Sequence, residues 1–125
     1  LGSKVQIMNA TEHDKILAIT SHVPHLISYS IVSSTLASNS KQKSQIIKFS
    51  AGGLRDFTRI ASSDPVMWRD IFLNNKSNLL KITKNFEKSL NLIKKYIKTN
   101  NEKKLKEIFS NTKKIRKLIE KEKQI

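Results

Sequence analysis

From residue 76 onward, apolar side chains return at heptad spacing. Leu79, Phe86 and Ile93 fall on one heptad position, and Thr83, Leu90 and Ile97 on another. Past Asn100 and Asn101, the set Leu105, Ile108, Thr112, Ile115 and Ile119 repeats the pattern. A repeat of this kind runs along one stripe of a helix, whereas a strand alternates its faces residue by residue. The spacing predicts helices over 76–98 and 101–121, turned at Asn100-Asn101 into an αα-hairpin whose seam must bury against something. With only three glycines and two prolines and one weak strand pattern, the expected fold class is all-α.

The first part of the chain is punctuated differently. Lys4-Val5-Gln6-Ile7-Met8 alternates as a short strand does, yet has no partner strand elsewhere. Thr11 reads as an N-cap with Glu12 and Asp14 in the first turn, and the helix it opens runs towards Ala37. Pro24 lies inside that helix. Its missing amide predicts a kink over Thr20–Pro24 and a free Thr20 carbonyl beside two histidines. Ser38–Ser44 is polar and reads as a loop, and Gln45–Phe49 as a helical turn. Gly52-Gly53 breaks the chain before a short helix, Leu54–Ser62, with Leu54, Phe57, Thr58 and Ala61 on one face. Ser63 or Asp64 caps the next helix, with Pro65 in its first position.

A length of 125 residues fits one domain. With no cysteine there is neither a disulfide nor a thiolate metal site. No apolar run approaches the roughly 20 residues of a membrane span, and no signal peptide opens the chain, so a cytoplasmic protein without a membrane partner is expected. The net charge of +14 is uneven: residues 1–75 hold 8 Lys/Arg and 5 Asp/Glu, residues 76–125 hold 16 and 5. Such a balance suits nucleic acid or an acidic surface. It equally reflects a composition rich in Lys, Ile and Asn, with the lysines scattered round the helices, and nucleic acid is the less favoured partner. The chain opens on Leu1 rather than Met, so a piece of a longer protein is expected.

Two constellations could carry chemistry. Arg55 and Arg59 stand four residues apart on one helix face, where they repel, and Arg55 lies in the first turn, where the helix dipole disfavours a cation. Either an anion sits between the two guanidinium groups and the helix amides, or Asp56 and Asp70 neutralise them as surface pairs. His22 and His25 share a face at a spacing of three. No third ligand stands near enough to make a zinc site, so they are either satisfied half-buried residues or the lining of a pocket. Ser21 beside His22 makes no catalytic dyad by adjacency. Trp68, the only tryptophan, reads first as a core or interface anchor.

These stretches also carry a resemblance. Glu12-His13-Asp14, Thr20-Ser21-His22-Val23-Pro24-His25-Leu26, Ala51-Gly52-Gly53-Leu54-Arg55-Asp56-Phe57-Thr58-Arg59-Ile60-Ala61 and Ser63-Asp64-Pro65-Val66-Met67-Trp68-Arg69-Asp70-Ile71 resemble, in order and separation, the C-terminal half of prephenate/arogenate dehydrogenases. The resemblance covers residues 1–75 well; the lysine-rich hairpin matches in helical character only. It implies an enzyme of tyrosine biosynthesis that oxidatively decarboxylates prephenate or arogenate and passes hydride to NAD or NADP. It further implies that residues 1–10 end a missing N-terminal Rossmann domain, with the strand belonging to it, and that 11–125 form a helical domain for homodimerisation and substrate contact. Carried onto this sequence, Arg59 would hold the ring carboxylate. His25, with His22 nearby, would face the substrate's side-chain end. Arg55 and Trp68 would reach a pocket from the partner subunit, Asp56 would pair with an arginine, and Ser21 and Gly52 would support the site. The proton acceptor and the glycine fingerprint for the dinucleotide are absent here, so the chain alone is expected to be inactive. The competing readings are a basic nucleic-acid-binding domain and a purely structural helical oligomer.

Overall fold

The computed structural model describes residues 5–123. In chain order the helices are α1 (Ala10–Leu17), a π-helical turn (Ala18–His22), α2 (Val23–Leu36), α3 (Ser40–Lys48), α4 (Gly52–Ile60), α5 (Pro65–Asn74), α6 (Lys76–Lys98) and α7 (Glu102–Lys123). The all-α expectation holds. The expected strand is not formed: residues 5–8 take no regular structure, and Val5 and Ile7 are almost wholly exposed. Lys4 lies outside the described residues. A lone strand has no ladder to satisfy its backbone.

The chain divides into two compact units, residues 1–83 and 84–125. In the first, α1, the π turn and α2 follow one another, and α2 packs on α4. The true cap of α1 is Asn9, two residues before the expected Thr11: its Oδ1 accepts the Glu12 amide at 2.8 Å. At the proline the helix widens. The Val23 amide reaches back five residues to the Ala18 carbonyl, a π register that absorbs the missing Pro24 donor. One expectation needs correcting. By length and composition alone, Ala10–Thr35 is apolar enough to cross a bilayer. Here it supplies buried Ala18, His22, Val23 and Ser28, and the Ser28 hydroxyl is satisfied by the Pro24 carbonyl at 2.8 Å.

The polar run 38–44 also departs from expectation, since most of it is helical. Asn39 accepts the Gln42 amide at 2.8 Å while Gln42 Oε1 accepts the Asn39 amide at 3.4 Å, a capping box that opens α3. The glycine pair begins α4 instead of breaking the chain before it. Leu54, Phe57 and Ala61 are half-buried as expected, whereas Thr58 is exposed and Ile60 takes its place. Asp64 caps α5 through the Met67 amide, with Pro65 in the first turn, as the sequence predicts.

In the second unit, α6 ends on a Schellman motif. Asn100 adopts φ +52°, the Asn101 amide bonds the Tyr96 carbonyl at 2.8 Å, and the Asn100 amide bonds Ile97 at 3.1 Å. Asn101 then caps α7 through the Lys104 amide at 3.1 Å. Phe86, Ile93, Leu105 and Ile108 are half-buried, while Leu90, Ile97, Ile115 and Ile119 of the expected seam stay open.

Candidate functional site

The proline, the π turn and α5 together build an aromatic and imidazole cluster. His22 ends the π turn and is 8% exposed. His25 follows on α2, and its Nδ1 donates to the Ser21 carbonyl at 2.8 Å. The sequence placed the available carbonyl at Thr20; the widened register delivers that of Ser21. Ser21 therefore supports the site through its backbone. Across from the histidines, α5 presents Trp68, 7% exposed. Its ring stacks on His25 at 3.6 Å and 15°, and meets His22 edge-on at 6.0 Å. Phe72 packs edge-on against Trp68 at 5.7 Å and against Tyr29 at 6.3 Å. Trp68 is thus packed among His22, His25 and Phe72.

Sequence reasoning missed Asn75, at the junction of α5 and α6. Its Nδ2 donates to the Asp14 carbonyl at 2.8 Å and to His22 Nδ1 at 3.2 Å, and its Oδ1 accepts from Asn78 Nδ2 at 3.0 Å. The one available signal was its place between two helices, where an asparagine closes one and precedes the next. His22 is held below the ordinary imidazole pKa chiefly by burial; His25 and His13 push the same way, and Asp14 opposes them. His13 itself is exposed, 3.5 Å from Asp14. Among the described residues no three His, Asp or Glu side chains gather as a metal would require.

The arginines lie elsewhere, on the solvent face of α4. Among the described residues the ion-pair partner of Arg59 is Asp56, at 4.0 Å, and both are about three-quarters exposed. Asp70 does not neutralise the pair, because it bonds its own neighbour Arg69 at 2.9 Å. Arg55 has no ion pair among the described residues. At the start of α4, Ala51 supplies no side-chain cap, and a Cβ on Gly52 or Gly53 would meet nothing within 4 Å. Glycine at these positions is therefore not demanded by packing within the chain. The structure brings His22, His25, Trp68 and Ser21 together; it places Arg55, Asp56, Arg59 and Gly52 on a separate, open helix. A shallow hollow of about 600 Å³ lies on α6, lined by Asn91, Lys94, Lys95, Ile97 and Lys98, and holds none of these residues.

Residues 9–122 match the family described as prephenate dehydrogenase, dimerization domain. The chain belongs to that family. Among its relatives, a cyclohexadienyl dehydrogenase of Zymomonas mobilis is 35% identical over 116 residues, 93% of this chain and 40% of that protein. A prephenate dehydrogenase of Bacillus subtilis is 41% identical over 91 residues, 72% of this chain and 24% of that protein. A prephenate dehydrogenase from A. aeolicus, solved in complex with hydroxyphenyl propionate and NAD+, superimposes with a TM-score of 0.85 at 40% identity, covering 93% of this chain and 40% of that one. The arogenate dehydrogenase of Synechocystis shares the fold, with a TM-score of 0.86 at 19% identity, over 94% of this chain and 43% of its own. The chain spans at most about two-fifths of the length of these relatives.

Proposed function

We propose that this chain is the dimer-forming, substrate-contacting C-terminal part of a cytoplasmic NAD(P)-dependent dehydrogenase that oxidatively decarboxylates prephenate or arogenate. The observation that carries the reading is the 40% identity and TM-score of 0.85 to a dehydrogenase solved with hydroxyphenyl propionate and NAD+. Residues 1–10 would join it to an N-terminal nucleotide-binding domain. The dinucleotide accepts the hydride, and no Gly-x-Gly-x-x-Gly run that would hold its pyrophosphate occurs here.

Loss of hydride and carbon dioxide leaves an aromatic ring, so the protein's share of the work is orientation and exclusion of water. A ring carboxylate needs a fixed cation that holds it without protonating it. Arg59 suits that role: its guanidinium has one loose carboxylate neighbour and is otherwise available. The uncapped amides of Gly52, Gly53 and Leu54, and the unpaired Arg55, add to the positive field at the same helix end. His25 and His22 offer imidazole nitrogens to the substrate's other end. The proton acceptor is assigned to the N-terminal domain, so the isolated chain should not turn over.

The test is Arg59→Ala in the full-length enzyme. A charge-assisted bidentate contact is worth about 1.5–3 kcal/mol, so substrate affinity should fall roughly 10- to 100-fold. Dinucleotide affinity should stay unchanged. Equal loss of both would remove Arg59 from the carboxylate role.

A further inference from the structure

The amide of Asn75 has only one orientation compatible with its neighbours. A backbone carbonyl, that of Asp14, stands 2.8 Å from one amide atom and can only accept, so that atom is the nitrogen. The other atom is then the oxygen, and it accepts from Asn78 Nδ2 at 3.0 Å, which is consistent with that orientation. The nitrogen's second hydrogen is then directed at His22 Nδ1, 3.2 Å away. A ring nitrogen that accepts a hydrogen bond carries no proton. The proton of the neutral ring must therefore sit on Nε2.

His25 is set the opposite way. Its Nδ1 faces the Ser21 carbonyl at 2.8 Å, an acceptor, so it bears the proton, and in the neutral ring Nε2 is the lone-pair nitrogen. Two imidazoles three residues apart, both against Trp68, thus present unlike nitrogens: one Nε2 donor and one Nε2 acceptor. Nothing local distinguishes them. The difference is imposed by one backbone carbonyl and one asparagine.

We propose that Asn75 is a positioning residue that fixes His22 in its Nε2–H tautomer and so sets the hydrogen-bond donor that this histidine offers to a ligand. The groups facing His22 are Asp14 through its charge, His25, His13, Trp68 and Asn75 itself. Asp14 is the one acidic group among them, and its carbonyl is already engaged by Asn75. Burial of the ring disfavours its charged form, and in the neutral ring the tautomer is the freedom that remains. The tautomer stands on geometry alone; its consequence for a ligand rests on the functional reading above.

The experiment is long-range 1H–15N correlation of the histidine rings in the intact protein, in wild type and in Asn75→Asp. Wild type should show His22 Nδ1 bare and Nε2 protonated, with a coupling across the hydrogen bond between the Asn75 amide and Nδ1. In Asn75→Asp a carboxylate replaces the donor, so the His22 Nδ1 resonance should move to the protonated range. A protonated Nδ1 in wild type, or an unchanged ring in Asn75→Asp, overturns the assignment. The wild-type spectrum decides the matter if Asn75→Asp does not fold. A titration with hydroxyphenyl propionate completes the test: Asn75→Asp should bind about tenfold more weakly, the worth of one buried hydrogen bond. A flipped tautomer with undiminished binding would refute the link to the ligand. Failure of the wild-type protein to bind this probe, with the tautomer as assigned, would sink the dehydrogenase reading and leave the role of Asn75 intact.

Discussion

Replacing Trp68 by alanine tests whether the histidine cluster is a built core or a surface that waits for a ligand. Trp68 is 7% exposed, and the other buried apolar side chains among the described residues are Ala18, Val23 and Leu79. The indole is the largest of these, so its removal opens the largest void. Truncating a buried tryptophan to alanine costs about 3–5 kcal/mol. Of that, the stack on His25 at 3.6 Å and the edge contacts with His22 and Phe72 account for about 0.5–1.5 kcal/mol each beyond area burial. Against a total of about 5–15 kcal/mol for a domain, Trp68→Ala should remove roughly a fifth or more of the stability of residues 1–83. Trp68→Phe keeps a ring against His25 and should cost about 1–2 kcal/mol. The assay is urea unfolding followed by far-UV circular dichroism, because the chain's single tryptophan is the residue removed. A loss below about 1 kcal/mol for Trp68→Ala, or equal losses for alanine and phenylalanine, would refute the core role. Trp68 would then act on the ligand alone.

Two further substitutions probe the same region. His22 is held below its ordinary pKa of 6.5, first by burial. The unfolded chain therefore binds a proton that the folded one resists, and stability should fall as pH drops from 6.5 towards the lower folded value. His22→Gln should flatten that slope in a pH series of urea midpoints, and an identical slope would place the titrating group elsewhere. Gly53 begins α4 with nothing near a would-be Cβ, so Gly53→Ala should stabilise the domain by up to about 0.5–1 kcal/mol. The same change should weaken hydroxyphenyl propionate binding if the glycine leaves the backbone open to a ligand. A gain in melting temperature with unchanged binding would show the glycine to be incidental.

How far the fold was legible depended on whether its signals were local. Asp64-Pro65 opened α5 as expected because cap and proline act within one turn, and Asn100-Asn101 closed α6 for the same reason. Asn39 was hidden by composition. The segment it caps is polar almost throughout, so apolar periodicity had nothing to register, although Gln42 stood at the spacing of a capping box. Residues 5–8 carry a strand pattern whose partner was expected outside this chain, and here they take no regular structure. Alternation marks a strand only where another strand can pair with it, and pairing is not a property of five residues. In α4 the helix starts two residues earlier than the glycines suggested, with Ile60 rather than Thr58 on the covered face.

The site shows the same division more sharply. Repulsion between Arg55 and Arg59 is a local cost, visible from spacing; of the two carboxylates weighed as their surface partners, Asp56 approaches Arg59 at 4.0 Å and Asp70 does not. What spacing could not settle was which carboxylate went where. Asp70 sits near in sequence to both Arg59 and Arg69, and the adjacent arginine takes it at 2.9 Å. The histidines carry this further. A separation of three put them on one side of an ideal helix, and the structure keeps both against Trp68 even though Pro24 has forced a π turn between α1 and α2. Yet their chemistry is unlike. One ring spends its Nδ1 proton on a carbonyl four residues back. The other receives a hydrogen bond from an asparagine 53 residues away. The donor pattern of the pair is therefore fixed in part by a contact that no short window along the chain contains. One asparagine at a helix junction thus orients one imidazole of the pair, while the other is oriented by a backbone carbonyl of its own helix turn.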